Sequence, residues 1–422
     1  MSCRSAMPGK PTTAAFAFDL KDRTPGQIAA AGRAPAEPGN VRSLVLSALI
    51  CLAFPAVAAA DDAIIVKRVP GLDRAERGEL RRDAGVRLME ALPLPDTEVV
   101  APRDGDVDAA LAELEADPDV LYAERDIELR VATNDTYYGL QWGLPAISVV
   151  DAWTRSTGAG VTVAVVDTGI EAGHPDLAGQ LTGNPGERGG GRETNGIDDD
   201  GNGLVDDWQG WDFVQGDNTT DTEDNFHGTH VAGTIAAKTG NGVGVAGVAP
   251  AARVLPVKVF GASGAAPSSR IALAFDYAGA LGVPVVNASL GGPGTSQVVT
   301  DVIRRHPGTL YVVSAGNDGV DAGPYFPCNA DAANVVCVGA SDEDDERALF
   351  SNVSATAVDL FAPGVGILST DLGAWYGYAD GTSMAAPHVA GAAALLAAAK
   401  RDAGSAALKR ALLNSVDARP GL

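Results

Sequence analysis

Positive charge is scarce in this chain. Lys and Arg number 31 against 54 Asp and Glu, a formal net charge of −23 over 422 residues. Such a balance argues against a polyanion such as nucleic acid as partner and suits bound cations, although plain solubility explains much of the excess. Aromatic residues are few as well, 5% of the chain, while hydrophobic residues reach 46% and glycine 51 positions. A sequence this apolar is not disordered, and one so poor in large rings must pack by close approach of backbones. Histidine occurs only five times. His227 and His230 sit close together, but no H-E-x-x-H pattern and no neighbouring cysteine pair accompanies them, which disfavours zinc. The length suits an α/β catalytic domain with an accessory segment.

Long hydrophobic runs are nearly missing from the N-terminal part. Residues 43–54 form the exception, preceded by Arg42 and followed by Ala58-Ala59-Ala60. A positive residue, an apolar centre too short to span a bilayer and a small-x-small end read as a secretory signal over residues 41–60, cut before Asp61. Residues 1–40 are polar and rich in Pro, Gly and Ala, and read as a non-structural extension ahead of a true start at Val41. The protein is therefore expected to be secreted, with no membrane partner once the signal is removed. Cysteine is rare, four in all. Cys3 and Cys51 leave with the leader, so Cys328 and Cys337 remain as an even pair in an oxidising compartment. Bridged, they close a short loop worth about 2–3 kcal/mol; two separate buried thiols are the alternative.

Residues 61–133 read as a small β-α-β-β-α-β unit, a split βαβ sheet with helices on one face. Its elements are an apolar run at 63–66, a charged helix near 76–83, strand pieces around Val99-Val100, a helix over 107–116 and a closing strand over 120–129. A polar exit at 132–135 reads as a linker. From Trp142 onward apolar runs alternate with helical segments, as a mostly parallel open sheet requires. The expected strands are 161–166, 253–259, 283–287, 310–314, 335–338 and 358–361. The expected helices are 227–237, 268–281, 296–306 and 383–400. In such sheets function gathers beyond the carboxyl ends of the strands.

Three stretches answer that description. Val166-Asp167-Thr168-Gly169 delivers a carboxylate from a buried strand. His227-Gly228-Thr229-His230 opens a helix with an imidazole. Gly381-Thr382-Ser383-Met384-Ala385-Ala386-Pro387 opens an apolar, small-residue helix with a hydroxyl at its mouth and a proline read as lying in the first turn. Taken alone, Ser383 reads equally well as the cap of a buried helix. Together, the three supply a hydroxyl, a base to take its proton and a carboxylate to orient that base. The second glycine of a G-x-S-x-G elbow is replaced by Ala385.

In these motifs and their order Asp, His, Ser, the chain resembles the subtilisin-like serine proteases from about residue 134 to the end. The resemblance implies a subtilisin-like three-layer α/β fold with a mostly parallel central sheet, preceded by a small ferredoxin-like α+β propeptide domain. The catalytic domain would run over 134–422, truncated at its C-terminus because relatives usually continue further. It implies a serine endopeptidase acting on protein or peptide substrates through Asp167, His227 and Ser383, with Asn317 in Ser314-Ala315-Gly316-Asn317 donating to the oxyanion. Ser289, Leu290, Gly291 and Gly292 would form one wall of the substrate cleft, and Ser263, Gly264 and Ala265 a facing strand. Residues 61–133 would be a propeptide that acts as intramolecular inhibitor until it is cut off near Ala132, and the mature enzyme a monomer.

Calcium is the expected structural ion. Asp198, Asp200, Asn202, Leu204 through its carbonyl, and Asp206 place oxygen ligands at alternate positions, with a glycine at the turn, as in the first part of an EF-hand loop. Gln209 stands where the bidentate glutamate belongs, which moves the last ligand to Asp207 or elsewhere; a solvated acidic loop is the alternative. The resemblance alone implies a second site at Asp135, Asp176 and Asn241. Two other readings stay open at this stage: a catalytically silent peptide-binding homologue, and an esterase using the same triad.

Overall fold

The computed structural model describes residues 63–126, 133–222, 224–261 and 263–419. The expected leader, the end of the closing propeptide strand, the expected cleavage segment up to Ala132 and the last three residues lie outside them. The described chain falls into two compact units, residues 63–126 and 133–419.

The first unit runs β1 (Ile64–Arg68), α1 (Arg74–Asp83), β2 (Val86–Ala91), β3 (Thr97–Pro102), α2 (Val107–Ala116) and β4 (Val120–Arg125). Its antiparallel sheet has the order β2-β3-β1-β4, the ferredoxin-like arrangement expected. Both helices start on aspartate. Asp73 accepts from the N–H groups of Ala75 and Glu76 while Glu76 reaches back to Asp73, and Asp106 accepts from Ala109. These side chains satisfy backbone donors that a helix start leaves unpaired. Val66, Val86, Val100 and Leu114 are fully buried between sheet and helices.

The second unit begins with two short helices, α3 (Gly143–Ala146) and α4 (Val149–Trp153). It continues with β5 (Thr162–Asp167), β6 (Trp211–Asp212), α5 (His227–Ala236), β7 (Arg253–Lys258), α6 (Ser268–Ala280), β8 (Val285–Ala288) and β9 (Gly292–Pro293). Then come α7 (Gln297–Arg305), β10 (Leu310–Ser314), β11 (Tyr325–Phe326), β12 (Val335–Ser341), β13 (Leu360–Pro363), β14 (Ile367–Thr370), β15 (Tyr376–Ala379), α8 (Thr382–Ala399) and α9 (Ser405–Leu413). Seven strands form a parallel sheet in the order β13-β12-β10-β8-β5-β7-β6. The winding direction reverses beside β5, so the carboxyl end of β5 lies at the switch point where open α/β sheets place their sites.

Strand alternation builds three layers. Val163 and Val165 of β5, Val312 of β10 and Val336 and Val338 of β12 pack on one face with α5 and α8. Ala164, Val166, Tyr311, Val313, Val335 and Cys337 pack on the other with α6 and α7. Cys328 and Cys337 are bridged, tying the segment after β11 to β12.

Helix α8 is the centre of the unit, in contact with β5, β8, β10, β12, β13, α5 and α9. Its composition would also suit a membrane span, but 72% of it is buried inside the protein. Its start corrects one sequence reading. α8 begins at Thr382, so Pro387 stands in the second turn, inside the helix rather than in the first turn where its missing N–H would cost nothing.

Candidate active site

Asp167 ends β5 and is fully buried, and His227 is the first residue of α5. They meet because α5 comes very close to the end of β5. A Cβ on Gly228 would lie 2.2 Å from the carbonyl oxygen of Gly169 and 3.2 Å from Asp167, so only glycine permits this approach. His227 Nδ1 lies 2.7 Å from Asp167 Oδ1, which also accepts from the Thr168 N–H at 2.7 Å. The carboxylate can only accept, so Nδ1 carries the proton and Nε2 is left as the basic nitrogen. Burial pushes the imidazole pKa down, but the charge of Asp167 and its hydrogen bond outweigh this and hold it above its ordinary value. His230, one turn on, has a different task. Its Nε2 lies 2.9 Å from the Ile367 carbonyl, and burial lowers its pKa to about 4, so it is a neutral core residue.

Ser383 is the second residue of α8, in the turn whose N–H groups have no partner within the helix. Its hydroxyl donates to the Ser289 carbonyl at 3.2 Å, and service as a nucleophile would require it to leave that carbonyl. Asn317 is held in one orientation: the N–H and the hydroxyl of Thr382 both donate to its Oδ1, at 2.9 and 2.8 Å. This leaves the amide Nδ2 as the group presented outward. A Cβ on Gly381 would fall 3.3 Å from Asn317 Nδ2 and 3.5 Å from the Ser383 nitrogen. Glycine at 381 therefore keeps open a space bordered by two donors, as an oxyanion site needs. The sequence carries no local signal for this part played by Thr382, because the contact lies 65 residues away.

Ser289 is buried after β8, with Leu290 half-exposed beside it. Gly291 and Gly292 follow, and Gly292 pairs with Phe326 in the small β9–β11 ribbon. Ser263, Gly264 and Ala265 do not form a strand. They make an exposed turn between β7 and α6 in which Gly264 has φ +64° and donates to the Gly261 carbonyl. A left-handed glycine ends an extended run, and β7 stops at Lys258.

The acidic loop departs from the expected ligand set. Among the described residues, Glu187, Asp198 and Asp200 are the one group of three or more His, Cys, Asp or Glu with ligand atoms within 4.8 Å of one another. Glu187 is fully buried; its Oε1 accepts from the Asp199 and Asp200 N–H groups, and its Oε2 has no partner. Burial raises its pKa. A buried glutamate with one orphaned oxygen and a ligand atom within 4.8 Å of two more carboxylates fits a hard cation. Asp206 turns away to take the Gly196 N–H with both oxygens. Asn202 accepts from the Leu204 N–H and donates to Asp207, which Asn184 also holds. Glu187 lies eleven residues before Asp198 with no periodic relation to the loop, so no local signal marked it. At the second expected site, Asp135 accepts from the Gly240 and Asn241 N–H groups, and Asp176 accepts from Asn241 Nδ2 at 2.7 Å and from the Val245 N–H at 2.9 Å. The three residues are together, with these oxygens engaged by protein donors.

The Subtilase family profile matches residues 158–422. This chain belongs to the subtilase family. Among relatives of this subtilase, the "Thermophilic serine proteinase" of Bacillus sp. strain AK1 is 37% identical over 352 residues, covering 80% of this chain and 78% of its own. Thermitase of Thermoactinomyces vulgaris is 37% identical over 289 residues, covering 67% of this chain and 91% of its own. A solved structure described as a protease from Pseudoalteromonas arctica PAMC 21717 is 34% identical with a TM-score of 0.56, covering 66% of this chain and 91% of that one. The subtilase is a serine endopeptidase.

Proposed function

We propose that this subtilase is a secreted endopeptidase, made as a zymogen, that cleaves peptide bonds through Asp167, His227 and Ser383. His227 Nε2 takes the Ser383 proton as the oxygen attacks the scissile carbonyl, then returns it to the leaving nitrogen; water releases the acyl group from Ser383 by the reverse route. The observation that carries this reading is the 2.7 Å bond from His227 to buried Asp167, which leaves the other ring nitrogen basic. Asn317 Nδ2 and the Ser383 N–H stabilise the oxyanion in the space that Gly381 leaves open. The Gly-rich wall after Ser289 receives the extended substrate. The unit over 61–133 serves as propeptide and inhibitor, the domain from 134 acts as a monomer, and export follows the signal over 41–60. A relative from Dichelobacter nodosus is named an extracellular basic protease, in line with export.

Replacing Asn317 with Leu tests the oxyanion role. The expected result is a kcat lower by about 10²–10³-fold with KM little changed, the magnitude known for this kind of donor in subtilisin. A parent-like kcat on a peptide amide would remove Asn317 from the mechanism.

Calcium is proposed at Glu187, Asp198 and Asp200, where its charge would offset the carboxylates' mutual repulsion and hold the loop. At a hundredfold excess over Kd, binding to the folded state alone adds about 2.7 kcal/mol. Calcium should therefore raise the Tm of the EDTA-treated protein, and Glu187→Gln should blunt that rise. An identical Tm with EDTA and with calcium would contradict the site.

A further inference from the structure

Pro387 sits inside α8, and this has a consequence for the residue one turn before it. In an α-helix the N–H of each residue bonds the carbonyl four positions earlier, and proline has no N–H. The carbonyl that Pro387 cannot serve belongs to Ser383. A peptide carbonyl left without a donor in the interior is costly, and a turn left unsatisfied is free to shift.

A donor arrives from outside the helix. Ser289 Oγ donates to the Ser383 carbonyl at 2.7 Å. Ser289 is only 4% exposed. Its hydroxyl accepts from Asn287 Nδ2 at 3.0 Å, and Asn287 is fully buried on β8. That bond uses an acceptor lone pair and leaves the single hydroxyl proton for Ser383. In the opposite direction, the Ser383 hydroxyl donates to the Ser289 carbonyl at 3.2 Å. The two serines are thus strapped together twice, and the strap runs through β8 into the core of the sheet.

We propose that Ser289 is a positioning residue for Ser383. Its hydroxyl replaces the helix bond that Pro387 abolishes, and so fixes the turn that carries both the Ser383 oxygen and the Ser383 N–H. The side chain acts through the backbone of Ser383 and needs no contact with substrate. The proposal rests on reading Ser383 as the nucleophile.

A double-mutant cycle tests it, with kcat and KM measured on a peptide amide and Ser383 labelled by a fluorophosphonate. Ser289→Ala should lower kcat roughly tenfold and slow labelling to match, with KM nearly constant. In a Pro387→Ala background residue 387 regains an N–H for the Ser383 carbonyl. There the same Ser289→Ala change should cost less than about twofold. Equal costs in both backgrounds, or a change confined to KM, would overturn the proposal. Should Ser289→Ala alone fail to accumulate, the double variant decides: labelling comparable with Pro387→Ala alone supports the strap, and no labelling while Pro387→Ala alone is labelled overturns it. Absence of label from the unsubstituted protein would bring down the nucleophile assignment and this proposal with it.

Discussion

Ser383→Ala is expected to yield only the full-length precursor, with the 61–133 unit still attached and peptidase activity lower by about 10⁶-fold. That magnitude is the one known for the nucleophile of subtilisin. In the proposed mechanism, removal of the 61–133 unit and cleavage of substrates use the same oxygen. Alanine keeps the helix start: it preserves the Ser383 N–H, the Gly381 space and the Thr382 bonds to Asn317, because none of these involves the Ser383 hydroxyl. What it loses is the bond to the Ser289 carbonyl at 3.2 Å and the group that attacks. The variant should therefore fold and remain silent. Gel analysis of the purified, refolded precursor reads the result; a mature band appearing in the absence of other proteases would contradict self-processing through Ser383.

Asp167→Asn should leave the fold intact and lower kcat by about 10⁴-fold, the size seen when a triad carboxylate becomes an amide. Asp167 is fully buried and accepts two hydrogen bonds on Oδ1, from the His227 ring and from the Thr168 N–H. With the asparagine nitrogen in the Oδ1 place, the amide donates to the imidazole and stabilises the tautomer with the proton on the wrong nitrogen; with the oxygen there, both bonds persist and the charge that stabilises the imidazolium is lost. The pH profile should move as well. In the parent, burial lowers the His227 pKa while Asp167 raises it more, so the folded value stands above the ordinary 6.5. Catalysis needs the neutral ring, so kcat/KM should fall as pH drops through that raised value. In Asp167→Asn only burial remains, and the acid limb should shift to lower pH. An unshifted acid limb would mean that the charge of Asp167 does not govern His227.

The strands of the parallel sheet were readable because a strand covered by helices on both faces must be continuously apolar. β10 lies at 310–314 as expected, and the other five strands depart by a few residues at their ends. The three motifs were readable because each stands at an element end. Other features left no local trace. The β14–β15 hairpin has four-residue strands in which glycine, tyrosine and serine interrupt any alternation, and α9 follows directly on the turn at Gly404. Glu187 joins Asp198 and Asp200 only through folding of the loop, and Asp206, despite its place in the spacing, gives both oxygens to the Gly196 N–H. Pro387 carries a signal of a different kind from the helix start expected of it. A proline four residues after a functional serine, inside a helix, already means that the carbonyl of that serine must find its donor elsewhere.

Fluorophosphonate labelling followed by peptide mapping decides whether Ser383 is an activated nucleophile, because the reagent reports such a serine whatever the preferred substrate. The expected result is one label per molecule, on Ser383, forming at a rate that follows deprotonation of His227 and falls steeply in Asp167→Asn. Peptidase activity that survives with Ser383 unlabelled, or a label on a different residue, would contradict it.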